Sequence, residues 1–278
     1  MLGQDLVERL TDAGEEVTAV GRETVDVTDP RAVDGAVDGH QVVVNCAAWT
    51  AVDAAEDEEA AAFTVNAVAP QLLARAARRS GARLVQISTD YVFDGVAQTP
   101  YGEDDLAAPR SAYGRTKLAG EWAVRVGTPD HLVVRTAWLY GAGGACFPRT
   151  IARVAAERGG LDVVADQSGQ PTWTRDLADL IVRLVQAGVP SGTYHGTSSG
   201  TTTWHGFAQE AVRAAGMDPE IVRPTTSDAF ARRAPRPTYS VLGHDAFAAV
   251  GVAPIGDWRE RWAVAATEVL AGRGSGPA

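Results

Sequence analysis

The sequence contains one lysine, Lys117; every other member of its 25 basic residues is arginine. Generic positive charge is therefore carried by guanidinium, and the single compact ammonium reads either as a chance survivor on the surface or as a group kept for chemistry that a planar guanidinium cannot perform. Cysteine is nearly as scarce. Cys46 and Cys146 lack the spacing of a metal site or a paired framework and read as small buried hydrophobes, so neither a disulfide nor a metal is called for. A basic stripe is also missing: the formal net charge is -10, which excludes a nucleic-acid binder while leaving room for a local cationic pocket that takes a small anion. No apolar run reaches the roughly 18 residues of a membrane span, and no signal peptide opens the chain. The expectation is a cytoplasmic protein without nucleic-acid or membrane partners. An apolar share of 45% and a charged share of 22% are those of a globular protein.

One further absence lies at the front. A nucleotide-binding α/β unit ordinarily opens on a short apolar strand and a glycine turn leading into a helix. Here "MLGQDLVERL" begins with Gly3 already inside a helical pattern of Leu2, Leu6, Val7 and Leu10.

Beyond that point, short β-branched runs alternate with helical stretches. Strands are expected over 16–22, 40–49, 82–89 and 131–141. Helices are expected over 57–81, closing on Gly81, and over 111–127. The stretch 166–186 reads as a turn followed by a helix. Alternation of this kind implies parallel βαβ units in a doubly wound, Rossmann-like α/β sheet, with ligands at the carboxyl ends of its strands. The expected division is a dinucleotide-binding domain over 1–145 and a smaller, mainly substrate-binding lobe over 146–278, interleaved with the first where elements return to the sheet. The Gly-rich tail from Ala271 is expected to fray.

Tyr113 and Lys117, four positions apart in a helix, share one face. An ammonium beside a phenol favours the phenolate and pulls its pKa down from about 10, which suits proton transfer to a carbonyl oxygen. "STDYVFDG" follows the 82–89 strand, where Thr89 would polarise the same oxygen; a plain strand-end turn explains that segment equally well. "NCAAWT" offers small residues at another strand end, where a flat ring or a ribose can approach the backbone.

These segments, together with "YGRTKLAGE", "RTAWLYG", "GQPTWTRDLA", "GTYH" and "APRPTYSVL" in order, resemble the dTDP-4-dehydrorhamnose reductases, a family in the extended branch of the short-chain dehydrogenase/reductase superfamily. The resemblance covers nearly the whole chain. It implies NADPH-dependent reduction of a 4-keto group on a dTDP-6-deoxy sugar, the last step of dTDP-L-rhamnose synthesis. It implies Tyr113 as general acid, Lys117 as the holder of the nicotinamide ribose, and Thr89 as third member of the triad. Asp90 and Trp138 match substrate-contacting positions, although Trp138 reads equally as a core aromatic. Asp26, Val27, Ala48, Trp49, Thr50 and Ile87, with Tyr113 and Lys117, match cofactor-lining positions. Gly3 would be the last glycine of the phosphate turn. Arg22, where an acidic residue would favour NADH, points to the 2′-phosphate of NADPH. Arg236 is a candidate partner for the substrate diphosphate, or a surface arginine between two prolines. A homodimer is the assembly to expect.

Only the end of the family's glycine turn is represented, so the first strand reads as missing, either through an internal Met taken as the start, the favoured reading, or through a real truncation of the gene. Weak cofactor binding and reduced stability are expected of such a chain. "GAGGACF" departs from the family in a loop. Two other readings stay open: a non-catalytic binding protein of the same fold, similar to the regulatory subunit of methionine adenosyltransferase, and a different nucleotide-sugar reductase or epimerase.

Overall fold

The computed structural model describes residues 1–273, so the end of the Gly-rich tail lies outside the described residues. Helix α1 (Leu2–Asp12) buries Leu2 and Leu6 and leads into an extended stretch, then α2 (Pro30–Val37), whose first turn is capped by the Asp29 carboxylate accepting from Arg31 N. Strand β1 (Val42–Asn45) is followed by a broken helical run: α3 (Val52–Asp57), α4 (Glu59–Phe63), one π-turn over Thr64–Val68 and α5 (Ala69–Ser80). Gly81, at φ +74°, ends α5 in the left-handed conformation that glycine adopts without strain. Strand β2 (Arg83–Thr89), helix α6 (Ala112–Gly127) and strand β3 (His131–Thr136) follow, with Ser111 Oγ capping α6 by accepting from Gly114 N at 3.1 Å.

Four parallel strands form the central sheet in the order β1, β2, β3, β8, the last being Gly192–His195. The strand period of two sends alternate residues to opposite faces. Val85, Leu132 and Val134 pack against α1 and the helix α8 (Thr174–Gln186), with Leu177, Leu180 and Ile181. Leu84 and Val133 pack on the other face against Val33 and Val37 of α2, Leu73 of α5 and Val124 of α6. Both faces are thus covered, as the near-continuous apolar strands require.

Residues 16–22 are not a strand, contrary to expectation. They run as exposed coil, with Val20 53% exposed, because the free edge of β1 lies next to no other strand among the described residues and a strand without a neighbour leaves its N–H and C=O groups to water. The expected 57–81 helix is interrupted by the π-turn, and the expected 131–141 strand divides into β3 and a two-residue β4 (Leu139–Tyr140) around Trp138.

After β4 come α7 (Phe147–Arg158), β5 (Leu161–Val164), β6 (Ser168–Gly169), β7 (Thr172–Trp173), then α8 and β8. The chain continues through β9 (Thr202–Thr203), α9 (Trp204–Ala214), β10 (Val222–Thr225), α10 (Asp245–Val250) and α11 (Trp258–Ala271). A second core, built from Tyr140, Phe207, Trp258, Trp262 and Val222, joins α7, α9 and α11 to the β5–β10 pair. Phe207 is fully enclosed there, and its burial contributes roughly 1.5–3 kcal/mol. Since β8 belongs to the central sheet and α8 packs on its face, the later part of the chain contributes to both cores. Cys146 is buried as expected; Cys46 is exposed, at the end of the edge strand β1. No helix among the described residues is long and apolar enough to cross a membrane.

Helix α6 approaches its neighbours through glycine. A Cβ on Gly120 would come within 2.1 Å of the Asn66 carbonyl oxygen, and one on Gly114 within 2.2 Å of that of Tyr91. Backbone sits on both sides of these contacts, so α6 must move outward to admit a methyl group. Gly120→Ala is expected to cost about 1–3 kcal/mol, read as a lowered urea midpoint with unchanged slope.

Candidate active site

The carboxyl end of β2 and the first two turns of α6 meet at one place. Lys117, buried, donates from Nζ to the Ile87 carbonyl at 2.6 Å, which ties α6 to the strand two residues before Thr89. Thr89 Oγ1 donates to Asp90 Oδ1 at 3.0 Å and accepts from Tyr91 N at 3.2 Å. The Tyr113 ring stands edge-on to Tyr91, centroids 5.6 Å apart, and packs with Trp49, Ala55, Ala62 and Ala112. Ile87, Thr89, Asp90, Tyr113, Lys117 and Trp49 therefore lie together.

The electrostatics differ from that reading in one respect. The Tyr113 phenol is pushed up to about 12: loss of water dominates, the hydrogen bond with Thr89 pulls it down, and the Asp90 charge raises it further. Lys117 does not set this value, because its ammonium is turned to the Ile87 carbonyl. Tyr113 thus stands as a protonated phenol. Lys117 is brought down to about 8 by its burial, against the attraction of Glu121 and Cys46. Asp90, also enclosed, is raised to about 6 by burial, with the hydroxyl of Thr89 among the groups opposing the shift.

Asn66 was not legible as a site residue, yet it ties the loop after β1 to α6. Its Oδ1 accepts from Trp49 N at 2.8 Å, while Nδ2 donates to Trp49 O and to Thr116 Oγ1, each at 3.1 Å. The available signal was one asparagine inside the apolar run "FTVNAVAP". Beside it, Asn45 Nδ2 donates to Gln86 Oε1 at 2.9 Å, holding β1 and β2 in register where Ala48 and Thr50 begin.

Other expected cofactor positions lie apart from this cluster. Arg22, Asp26 and Val27 occupy the turn before α2, where Arg22 and Asp26 are exposed. Asp26 is held below the usual carboxylate range by the hydroxyl and backbone N–H of Thr28, with a smaller contribution from Arg22. Gly3 lies in the first turn of α1, where a Cβ would be 3.9 Å from that of Cys46.

On the substrate side, Trp138 has φ +46°, the one left-handed non-glycine residue among those described. Such a conformation costs about 1–3 kcal/mol and persists only where the surroundings impose it. They do so here: the indole stacks on Trp204 at 3.6 Å between centroids and 10° between planes, and Gly169 leaves the space below, where a Cβ would fall 2.5 Å from the ring. Next to this stack is a cleft of about 740 Å³ lined by Tyr91, Phe147, Gln167, Trp204, Phe230, Arg232 and Arg236. Arg236 is committed within the chain: Nη2 donates to Asp53 Oδ2 at 2.8 Å and Nη1 to Ala234 O at 3.2 Å. Asp53 also accepts from Ala234 N at 3.1 Å, so the loop carrying the arginines is fastened to α3.

A parallel doubly wound sheet with Tyr-x-x-x-Lys on a helix facing a strand-end hydroxyl defines a short-chain dehydrogenase/reductase, a class that moves hydride between a nicotinamide and a carbonyl or alcohol. The family model described as "RmlD substrate binding domain" matches residues 1–270, and the chain belongs to that family. It is 52% identical over 266 residues to a dTDP-4-dehydrorhamnose reductase of Streptomyces griseus, covering 93% of this chain and 88% of the relative. It is 53% identical over 276 residues to a probable dTDP-4,6-dihydroxy-2-methyloxan-3-one 4-ketoreductase of Streptomyces antibioticus, covering 98% and 93%. Among solved structures, a dTDP-4-dehydrorhamnose reductase from Bacillus anthracis in complex with NADP superposes with a TM-score of 0.92 at 35% identity, covering 96% of this chain and 95% of that one. The Clostridium acetobutylicum counterpart gives 0.91 at 40% identity, covering 95% and 94%.

Proposed function

We propose that this protein uses NADPH to reduce the C4 keto group of dTDP-4-dehydro-6-deoxy-L-mannose, giving dTDP-L-rhamnose, the final step of dTDP-rhamnose synthesis. The observation that carries the reading is the meeting of Tyr113, Thr89 and the buried Lys117 at one strand end. A binding protein of this fold has no need of a protonated phenol beside a hydroxyl, nor of an ammonium desolvated at its side.

The residues suit the cofactor. An ammonium has three donors, and Lys117 uses one on Ile87, which leaves two for ribose hydroxyls. Ala48, Trp49, Thr50 and Ile87 line its approach, with Gly3 toward the phosphates and Asp26 and Val27 toward the adenosine end. Bound NADPH supplies the hydride. Tyr113 gives its phenolic proton to the oxygen at C4 as that oxygen gains negative charge, Thr89 turns its one hydroxyl proton from Asp90 to the same oxygen, and Asp90 and Trp138 orient the sugar. Arg236 faces the diphosphate from the cleft through the donors that Asp53 and Ala234 leave free. In this reading residues 1–145 are chiefly the cofactor unit and 146–278 chiefly the substrate lobe. The protein works in the cytoplasm as a homodimer, an assembly that light scattering tests.

Arg22 sets the choice of cofactor by pairing with the 2′-phosphate. Arg22→Ala is expected to weaken NADPH binding about 10- to 100-fold at low salt, the size of a lost bond to a charged group, and to leave NADH nearly unaffected. Titrating both nucleotides at matched salt checks this; wild-type preference for NADH would refute it.

The name carried by the Streptomyces antibioticus relative keeps a second sugar in play, another dTDP-linked 4-ketohexose. Product analysis with each sugar offered separately tests the substrate: the reading requires dTDP-L-rhamnose, and turnover confined to the other sugar overturns it.

A further inference from the structure

Glu121 is a carboxylate inside the molecule, with no exposed side-chain surface and no contact with the reacting atoms. It lies one turn beyond Lys117 on α6. Oε1 accepts from Ser88 Oγ at 2.6 Å and from Arg135 Nε at 2.9 Å; Oε2 accepts from Nη2 of Arg135 and of Arg125, each at 2.9 Å. Arg135 is itself buried on β3, and its Nη1 donates to the Glu103 carbonyl at 3.1 Å. Ser88 stands between Ile87, whose carbonyl receives the Lys117 ammonium, and Thr89. One carboxylate therefore joins α6, β2 and β3 behind the triad.

Such a group is a costly way to join three elements. Removing both ions from water costs several kcal/mol each, and apolar residues of similar volume hold a core equally well or better. Stability alone does not account for it, whereas its position beside the chemistry does. We propose that Glu121 is a positioning residue of this reductase: through Ser88 it fixes the strand end from Ile87 to Thr89, and it places a buried carboxylate one helical turn from the Lys117 ammonium. The inference rests on the reductase reading only for its consequence in turnover.

The charges around Lys117 support the assignment. On its own helix the neighbours one turn either side are Tyr113, held neutral, and the charged Glu121; at the end of β1 is the Cys46 thiol, pushed up to about 11 by desolvation. From β2 it meets the Ile87 carbonyl. Arg125 and Arg135 both donate to the Glu121 carboxylate. Burial has already brought Lys117 to about 8, and Glu121 is the largest influence opposing that shift.

The test is the pH dependence of NADPH affinity, read by the fluorescence of the bound nucleotide, for the wild type and for Glu121→Gln. In the wild type, affinity is expected to fall as pH rises through about 8, where the ammonium is lost. In the variant, this alkaline limb moves lower by about one pH unit or more, the effect of removing a near opposite charge. At acid pH, where both forms carry the ammonium, the affinities converge. Because Glu121→Gln leaves Arg135 buried without a counter-charge, the double variant Glu121→Gln/Arg135→Gln is measured alongside it, and the limb moves there too. A folded variant whose limb stays at the wild-type position would reduce Glu121 to a structural tie and overturn the proposal, as would a wild type without any alkaline limb. Correct limbs in NADPH binding with no reduction of either sugar would overturn the reductase reading and leave this inference standing.

Discussion

Tyr113→Phe is expected to bind NADPH with wild-type affinity and to lose about 100- to 10,000-fold in kcat, the range for removal of a positioned general acid. The phenol is held protonated by its surroundings, raised to about 12. In the proposed reaction its task is to deliver a proton when the C4 oxygen becomes basic, and phenylalanine keeps the ring that packs against Tyr91 and Trp49 while deleting the proton. The loss should fall on kcat and on kcat/KM alike, the sign of an interaction made only in the transition state. Stopped-flow single turnovers with NADPH and the 4-keto sugar read this directly. A variant with intact turnover would assign the proton to another group.

Lys117→Met should have an effect of similar size with a different signature. Methionine fills nearly the same space, so the packing of α6 on β2 survives while the charge and three donors disappear. Each lost bond from a charged donor is worth about 1.5–3 kcal/mol, so NADPH affinity should fall at least about 10-fold and kcat/KM further. The sign of the pH effect follows from the folded state. The ammonium is present below about 8 and lost above it, so wild-type kcat/KM declines on the alkaline side, and the variant loses that limb instead of moving it. An unchanged limb in Lys117→Met would assign the titration to another group.

The parts of the fold visible in the sequence were those dictated by local pattern. The apolar strands at 83–89 and 131–136 match their expected positions because strands covered on both faces must be apolar throughout. Helix α6 is bounded by a serine cap that any reader of Ser111 could find. The misses are long-range. Residues 16–22 have strand composition but no neighbouring strand, and composition cannot supply one. The π-turn at 64–68 and the division of the chain at Trp138 follow from a helix crossing at Gly120 and an indole stack with Trp204, contacts between residues 54 and 66 positions apart in sequence. Tyr113 and Lys117 were legible because their spacing is their geometry. Asn66 and Glu121 were not, since an asparagine and a glutamate in helices are ordinary until their partners on other elements are seen.

The most direct test of the account follows the hydride itself. With NADPH deuterated at both C4 positions of the nicotinamide and dTDP-4-dehydro-6-deoxy-L-mannose as acceptor, the dTDP-L-rhamnose formed should carry one deuterium, at C4 of the sugar, for each NADPH consumed. Protein that binds NADPH and the sugar nucleotide yet returns the sugar without deuterium would contradict the assignment of this site to carbonyl reduction.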